Sequence, residues 1–358
     1  MKVLYGVQGT GQGHLSRAYA MAAALREYRV DVTWLVSGRD KRELFDMQAL
    51  GDYLHRQGLS FATHNGRVRY RKTLAKNSVR QFIREATTLD VSQFDVVITD
   101  FEPVTAWAAH LAGAPSIGIG HQYAFGKHTP KRGMNPLNSL IMRGFAPVET
   151  RVGLHWYPYN NHILPPIVHL PELQPQDGGG IVVYLPFEDQ HAITSMLQKI
   201  PDKQFVQFAS SLEDTRTGNV QLCKANTTGF KRALAHAEAV ICNSGFELIS
   251  ECLQWGKPVL TKPLGGQPEQ LSNAYSLELL GCATVTAQLN ERIICHWLQK
   301  PLRHHAAGYP NVADALGRWI ATGCAESPQT LSTRLWSSTG PNRERQRRMP
   351  MVAAPMAY

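Results

Sequence analysis

The first glycine-rich stretch, GVQGTGQGHLSRA (6–18), puts a histidine, His14, where a strand pattern gives way to a helix pattern. A helix N-terminus disfavours the imidazolium ion, so His14 is expected to stay neutral and able to accept a proton. A histidine base also needs a carboxylate that fixes its tautomer and stabilises the cation it forms. Asp100 ends the strand pattern FDVVITD and would reach the same sheet edge. We therefore predict His14 as a general base with Asp100 as its partner, the alternative for each residue being a core or capping role.

The glycine turn before His14 does not match the common phosphate-binding motifs. It lacks the lysine and the hydroxyl residue of a P-loop. Its glycines follow G-x-G-x-G rather than G-x-G-x-x-G, and the second strand pattern ends without an acid. We expect the turn to face the ligand cleft as a phosphate or acceptor loop, formed by Gly9, Thr10, Gly11, Gln12 and Gly13.

A second chemically suggestive stretch is NSGFELISECLQWGKPVLTKPLGGQPEQLSNA (243–274). Asn243, Ser244 and Gly245 are predicted to form a strand-to-helix turn whose free amides can hold a diphosphate. Glu251 lies two turns into that helix and could accept hydrogen bonds from vicinal ribose hydroxyls. Glu269 and Gln270 would begin another helix and offer groups suited to sugar hydroxyls.

The elements that position these residues alternate between apolar strand patterns and helix patterns, which is typical of parallel α/β domains. A stretch with four prolines and three glycines separates two such series. We predict a domain at 1–165, a linker at 166–179, a second domain at 180–325 and a disordered basic tail at 326–358. Because open α/β sheets bind ligands at their strands' carboxyl ends, two doubly wound domains would face each other across a cleft.

The formal charge of +9 is concentrated in the first half of the chain, where seven cations crowd between Arg67 and Arg84. Such a run attracts a phospholipid surface, a pyrophosphate-linked acceptor or nucleic acid, and a solvated helix face is an equal alternative. The six cysteines never form C-x-x-C, so we expect reduced thiols and no zinc site. With no leader or membrane-spanning pattern, we expect a cytoplasmic protein.

The stretch 243–274 resembles the nucleotide-sugar signature of two-domain (GT-B) glycosyltransferases. The resemblance includes the plant and animal UDP-glycosyltransferases and the bacterial type that adds GlcNAc to lipid-linked muramyl-peptide. The spacing from Asn243 to Pro263 matches the plant signature HCGWNS..E....G.P....P without a gap, and Glu269–Gln270 follow after two extra residues. GQGHL and TDFEP resemble the base histidine and its aspartate. Together with GFELISE, these motifs look closest to a little-characterised bacterial and archaeal branch.

Several positions depart from the plant signature. Asn243 replaces its phosphate-binding histidine, and Glu247 and Leu248 replace its asparagine and serine. There is also no tryptophan near LCKANTTGF to stack on a uracil. These departures leave the nucleobase open, with UDP as the expected nucleotide.

The resemblance implies an inverting, metal-independent transferase that uses a nucleotide sugar as co-substrate and needs no cofactor. The sequence has no D-x-D motif and no E-x7-E spacing in its second domain. The implied acceptor is a hydroxyl, with a lipid-linked or cell-surface glycan precursor as one option, and the basic run could then rest on the inner membrane face. The implied donor-side residues are Asn243, Ser244, Gly245, Phe246, Glu251, Glu269 and Gln270. On the acceptor side we single out His121, Tyr123, Phe125, Arg67, Arg69 and Arg71. Tyr123 and Phe125 could pack on an apolar acceptor, with ordinary anchoring of the loop as the alternative.

Two rival activities stay open at this point. A nucleotide-sugar 2-epimerase uses the same two-domain fold without an acceptor, but it needs a further carboxylate pair that the sequence does not show. A nucleic-acid-binding protein or DNA-modifying glucosyltransferase would exploit the basic half, and phosphate contacts would then give steeply salt-dependent binding. We rank nucleic acid as the weaker partner.

Overall fold

A computed structural model describes residues 1–44, 46–60, 63–64, 67–68, 78–160, 162–176, 178–299 and 305–340. Two seven-stranded sheets organise the chain, one in the first half and one in the second. Their neighbouring strands run parallel apart from one antiparallel pair in the second sheet. The predicted α/β architecture of two Rossmann-like units is confirmed.

The front lobe, residues 1–164, is built on the first sheet. In sheet order its strands are β3 (Tyr53–His55), β2 (Asp31–Ser37), β1 (Lys2–Gln8), β6 (Val96–Asp100), β7 (Ser116–Gly120), β8 (Thr150–Leu154) and β9 (Ile163–Leu164). A separate hairpin pairs β4 (Thr63–His64) with β5 (Arg67–Val68). The helices are α1 (Gln12–Glu27), α2 (Val79–Thr88), α3 (Pro103–Ala112) and α4 (Pro136–Phe145).

The rear lobe, residues 181–299, is built on the second sheet. In sheet order its strands are β12 (Thr215–Thr217), β13 (Val220–Lys224), β11 (Phe205–Ala209), β10 (Ile181–Tyr184), β14 (Ala239–Asn243), β15 (Val259–Lys262) and β16 (Thr284–Val285). Its helices are α5 (Gln190–Leu197), α6 (Thr227–His236), α7 (Phe246–Gln254), α8 (Pro268–Leu280) and α9 (Glu291–Gln299).

The central strands of the front lobe bring the candidate site together. Residues 3–8 of β1 and all of β6 are buried, as expected for parallel strands covered on both faces. The two strands are neighbours, and Val7 is in register with Asp100. The turn that follows β1 therefore starts beside the carboxyl end of β6, and α1 begins there.

Two C-terminal helices return to the front lobe, contrary to the predicted boundaries. Helix α10 (Val312–Ala321) packs against α1, where the hydroxyl of Tyr28 donates to Asp314 at 2.9 Å. Helix α11 (Pro328–Ser337) covers β9, and the indole of Trp336 donates to the Ile163 carbonyl at 2.7 Å.

The predicted disorder of 326–358 is therefore wrong for α11. The buried side chains of Leu331, Leu335 and Trp336 share one face of this helix and supply the apolar contact that orders it. The rest of the predicted tail, 341–358, lies outside the described residues.

All six cysteines are free thiols, as the sequence predicted. In the part of the chain that the structure describes, no helix combines the length and apolarity needed to cross a bilayer.

Candidate active site

His14 and Asp100 lie next to each other at the carboxyl edge of the front sheet. Helix α1 starts after Gly11 without a side-chain cap, which puts His14 in its first turn. Nδ1 of His14 is 2.9 Å from Oδ1 of Asp100. The histidine side chain is 13% exposed, whereas Asp100 is 1% exposed. With Nδ1 turned toward Asp100, Nε2 is the ring nitrogen left for another molecule.

Sequence reasoning missed Arg17, which shares Asp100 with His14. Its Nε donates to Oδ2 of Asp100 at 2.9 Å and its Nη2 donates to Oδ1 at 2.6 Å. Burial opposes ionisation of Asp100, but the Arg17 guanidinium and His14 hold the pKa of this carboxyl below its usual value. Arg17 follows His14 by three positions and so lies on the same helix face, a spacing that could have identified it.

Glu247, in the first turn of α7, completes this cluster from the rear lobe. Its carboxylate accepts a hydrogen bond from Nη1 of Arg17. Burial raises the pKa of Glu247 to about 8; Arg17 opposes the shift, while Asp100 and Glu251 add to it. A Cβ on Gly13 would lie 2.7 Å from Cγ of Glu247, so only glycine leaves room for this side chain.

The raised pKa of Glu247 predicts a pH-dependent stability. Between about pH 4.5 and about pH 8, folded Glu247 holds a proton that the unfolded chain has released, so the free energy of unfolding falls as the pH rises. The slope is at most about 1.4 kcal/mol per pH unit. Urea unfolding across this range should show a smaller slope for Glu247→Gln than for the wild type. The exposed Glu278→Gln variant serves as control, and equal slopes in the wild type and Glu247→Gln would contradict the prediction.

The predicted diphosphate turn lies between β14 and α7. Helix α7 begins after Gly245 without a side-chain cap, and a Cβ added to Gly245 would meet nothing within 4 Å. The Gly245 amide already donates to the Asn243 carbonyl at 2.8 Å, and the Ser244 hydroxyl is 2.9 Å from that of Thr261. The first-turn amides of α7, from Phe246 onward, have no intrahelical acceptor.

The other three donor-side residues all have hydrogen-bond partners within the protein and differ in burial. Glu251 is buried and pairs with Lys231, so in this arrangement its carboxylate is engaged within the protein. Gln270 is also buried, and its Oε1 accepts from the Leu264 amide at 3.0 Å. Glu269 is half-buried at the lobe boundary and accepts from Nε2 of Gln122 at 3.2 Å. Of these three, Glu269 is the one that keeps partial solvent exposure.

His121 and Tyr123 are buried, so their side chains do not offer the predicted contacts to an acceptor. The ring of His121 is fully buried, stacks on Phe246 at 4.0 Å between centroids and lies 2.6 Å from Oδ1 of Asn273. Tyr123 is 8% exposed and donates to the Ala146 carbonyl at 3.1 Å. His121 instead connects the two lobes, and Tyr123 packs in the core of the front lobe. Phe125 is half-buried beside His121.

The basic residues named as acceptor contacts are only partly described. The backbone of Arg67 belongs to β5, while Arg69 and Arg71 lie outside the described residues. Helix α2 presents two further cations of the same run, Arg80 and Arg84, to solvent.

The glycine turn carries a second cation that sequence reasoning missed. Nη2 of Arg39 donates to the Thr10 carbonyl at 2.9 Å, and its Nη1 donates to Oε1 of Gln12 at 3.0 Å. Gly9 donates to the Ser37 carbonyl at 2.7 Å, which ties the turn to the end of β2. Arg39 thus adds positive charge to the turn that precedes His14.

The comparisons with known proteins agree with this architecture. Among solved structures, the glycotransferase of kitacinnamycin has a TM-score of 0.56 at 13% identity, covering 98% of this chain and 99% of that chain. LpCGTa in complex with UDP has a TM-score of 0.55 at 14% identity, covering 94% and 98%. The SsfS6 glycosyltransferase of Streptomyces sp. SF2575 with thymidine diphosphate has a TM-score of 0.55 at 12% identity, covering 94% and 99%. At these identities the likeness shows the fold, which is GT-B.

The family follows from the sequence match. No curated protein matches the chain significantly. The family model described as "Glycosyl transferase family 1" matches residues 1–301. Because this match covers most of the chain, the protein belongs to glycosyl transferase family 1 and is a glycosyltransferase.

Proposed function

We propose that the enzyme transfers a sugar from a nucleoside diphosphate sugar to a hydroxyl acceptor, with inversion at the anomeric carbon and without a metal ion. One observation carries the proposal: the His14–Asp100 pair and the uncapped N-terminus of α7 lie on opposite lobes and meet through Gly13 and Glu247. The UDP and thymidine diphosphate bound in the two similar structures support a nucleoside diphosphate as the leaving group.

In the proposed reaction, His14 is the general base. The acceptor hydroxyl gives its proton to Nε2 as its oxygen bonds to the anomeric carbon from the face opposite the nucleotide. The bond from that carbon to the diphosphate breaks, and the electron pair leaves with the phosphate oxygen. Asp100 stabilises the imidazolium through Nδ1.

The leaving diphosphate would bind at the positive ends of two helices. Neither α1 nor α7 has a side-chain cap, so their first-turn amides and helix dipoles are available to an anion. Arg39 adds a guanidinium to the same edge. These groups can take the charge-stabilising role that metal-dependent transferases give to a cation, which supports metal independence.

For the acceptor, we propose a hydroxyl on a lipid-linked or cell-surface glycan precursor. Helix α2 supports this proposal, since it exposes Val79 and Ile83 by 63% and 53% beside the exposed cations Arg80 and Arg84. Apolar and cationic side chains on one helix suit an anionic membrane surface. Cytoplasmic location and membrane association both stay predictions.

A thermal-shift panel of nucleoside diphosphates and their sugars tests the donor proposal. We expect selective stabilisation by one base and one sugar, because a ligand that binds only the folded state raises the melting temperature. The stabilising sugar is then incubated with enzyme alone and with a mixture of acceptors. Transfer that requires an acceptor supports the proposal. A flat panel, or conversion of the donor to its 2-epimer without an acceptor, would contradict it.

A further inference from the structure

The proposed reaction uses His14 and Asp100 but gives no role to Nη1, the nitrogen of the Arg17 guanidinium that does not contact Asp100. Arg17 is 3% exposed, and all three of its nitrogens are engaged. Nε and Nη2 bind Asp100 in the front lobe, and Nη1 binds Glu247 in the rear lobe. The Arg17 side chain therefore connects the His14–Asp100 pair directly to helix α7, the proposed donor-binding helix.

The guanidinium fixes the plane of the Asp100 carboxylate. Oδ1 accepts from Nη2 of Arg17 and faces Nδ1 of His14, while Oδ2 accepts from Nε of Arg17. A planar fork bound to both oxygens allows the carboxylate little rotation. Nη2 of Arg17 also lies 2.8 Å from Nδ1 of His14. A shift of the guanidinium would therefore move the carboxylate and the imidazole with it.

The rear lobe holds the guanidinium in place. A buried cationic N–H without an acceptor is costly, so Nη1 favours the position that keeps its bond to Glu247. Gly13 leaves the space through which the Glu247 side chain reaches this nitrogen. If the lobes separate, Nη1 loses this acceptor, and the bonds to Asp100 alone then hold the guanidinium.

We propose that Arg17 and Glu247 are positioning residues that couple the base to the donor-binding lobe, so that the His14–Asp100 pair is fully aligned only while the lobes are in contact. This proposal rests on the base role assigned to His14 above. It gives the enzyme a reason to hold this buried Arg17–Glu247 hydrogen bond at the lobe boundary, since an open enzyme has a poorly aligned base.

The coupling requires an oxygen acceptor on residue 247 rather than a full charge. Burial raises the pKa of Glu247 to about 8, and a carboxyl in either protonation state still offers an oxygen to Nη1. Glutamine keeps that acceptor, and methionine removes it at similar length. The two substitutions therefore separate the hydrogen bond from the packing of the side chain.

A matched set of variants tests the coupling. Glu247→Met should lower kcat about 10- to 100-fold through misalignment of the base, while nucleotide affinity changes less than about threefold. Glu247→Gln should stay within about threefold of the wild-type kcat. The control is Glu278→Met, which removes the acceptor of the exposed interlobe pair with Arg132 and should leave kcat unchanged. Equal losses in the Met and Gln variants, or an equal loss in the control, would overturn the proposal.

A measurement without substrate keeps this test separate from the proposed function. Histidine-selective NMR follows the His14 imidazole, whose signal is identified by its loss in His14→Gln. We expect the chemical shift of this signal to change in Glu247→Met, because the imidazole moves, and to stay at the wild-type value in Glu247→Gln. An unmoved signal in folded Glu247→Met overturns the coupling. Failure of the proposed function would appear differently, as a wild type that transfers no sugar.

Discussion

Replacing His14 with alanine is expected to lower kcat for sugar transfer by about 10²- to 10⁴-fold, because the acceptor hydroxyl loses the group that takes its proton. Nucleotide affinity should be nearly unchanged, since the proposed diphosphate contacts come from the amides of α7. Steady-state kinetics with the donor found in the thermal-shift panel give kcat, and calorimetry gives the nucleotide dissociation constant.

The controls for this variant separate chemistry from folding. His110→Ala removes an exposed histidine from α3 in the same lobe and should keep wild-type turnover. Added imidazole should partly restore transfer to His14→Ala, because a small base can diffuse into the space left by the ring. If His14→Ala retains more than about a tenth of the wild-type kcat, the base lies elsewhere.

The second large effect is expected at Asp100. Asp100→Asn keeps the shape of the side chain but removes the charge that stabilises the imidazolium, so kcat should fall about 10²- to 10³-fold. It also takes the carboxylate from a buried guanidinium, which should lower the free energy of unfolding by about 3 kcal/mol. Transfer assays and urea unfolding measure the two effects.

Asp95→Asn is the matched control for Asp100→Asn. Asp95 precedes the other end of β6 and accepts from the Lys2 amide at an exposed position. We expect its variant to keep both kcat and stability. An Asp100→Asn enzyme that is destabilised but turns over normally would assign Asp100 to folding alone.

The sequence predicted the parts of the site that depend on single elements. His14 and Asp100 each follow a buried strand pattern, and parallel neighbours end at the same sheet edge, so their proximity could be inferred without coordinates. The same logic predicted the uncapped turn at Gly245. Each inference needed only the local sequence pattern and the rule that neighbouring parallel strands end at the same edge of a sheet.

The sequence could not show which faces of the lobes are in contact. Glu247 departs from the plant signature, but its partner Arg17 is 230 positions away, so nothing local indicates the pair. The burial of His121 under Phe246 likewise depends on how the rear lobe packs. Glu251 was expected to bind ribose because of its place on α7, whereas Lys231 from α6 occupies its carboxylate.

The wrong prediction of disorder for the segment that forms α11 has a related cause. The stretch that forms α11 contains few apolar residues and reads as a tail, because its apolar face has no partner in its own neighbourhood. Its partner is β9, more than 160 positions earlier, which receives hydrogen bonds from both Ser332 and Trp336. Long-range packing of this kind overrides a weak local pattern.

A crystal structure of the enzyme with its nucleoside diphosphate sugar would test the central claim most directly. We expect phosphate oxygens on the Phe246 and Glu247 amides and the anomeric carbon facing Nε2 of His14, with room between them for a hydroxyl. A diphosphate bound away from the start of α7, or a sugar that His14 cannot face, would contradict it.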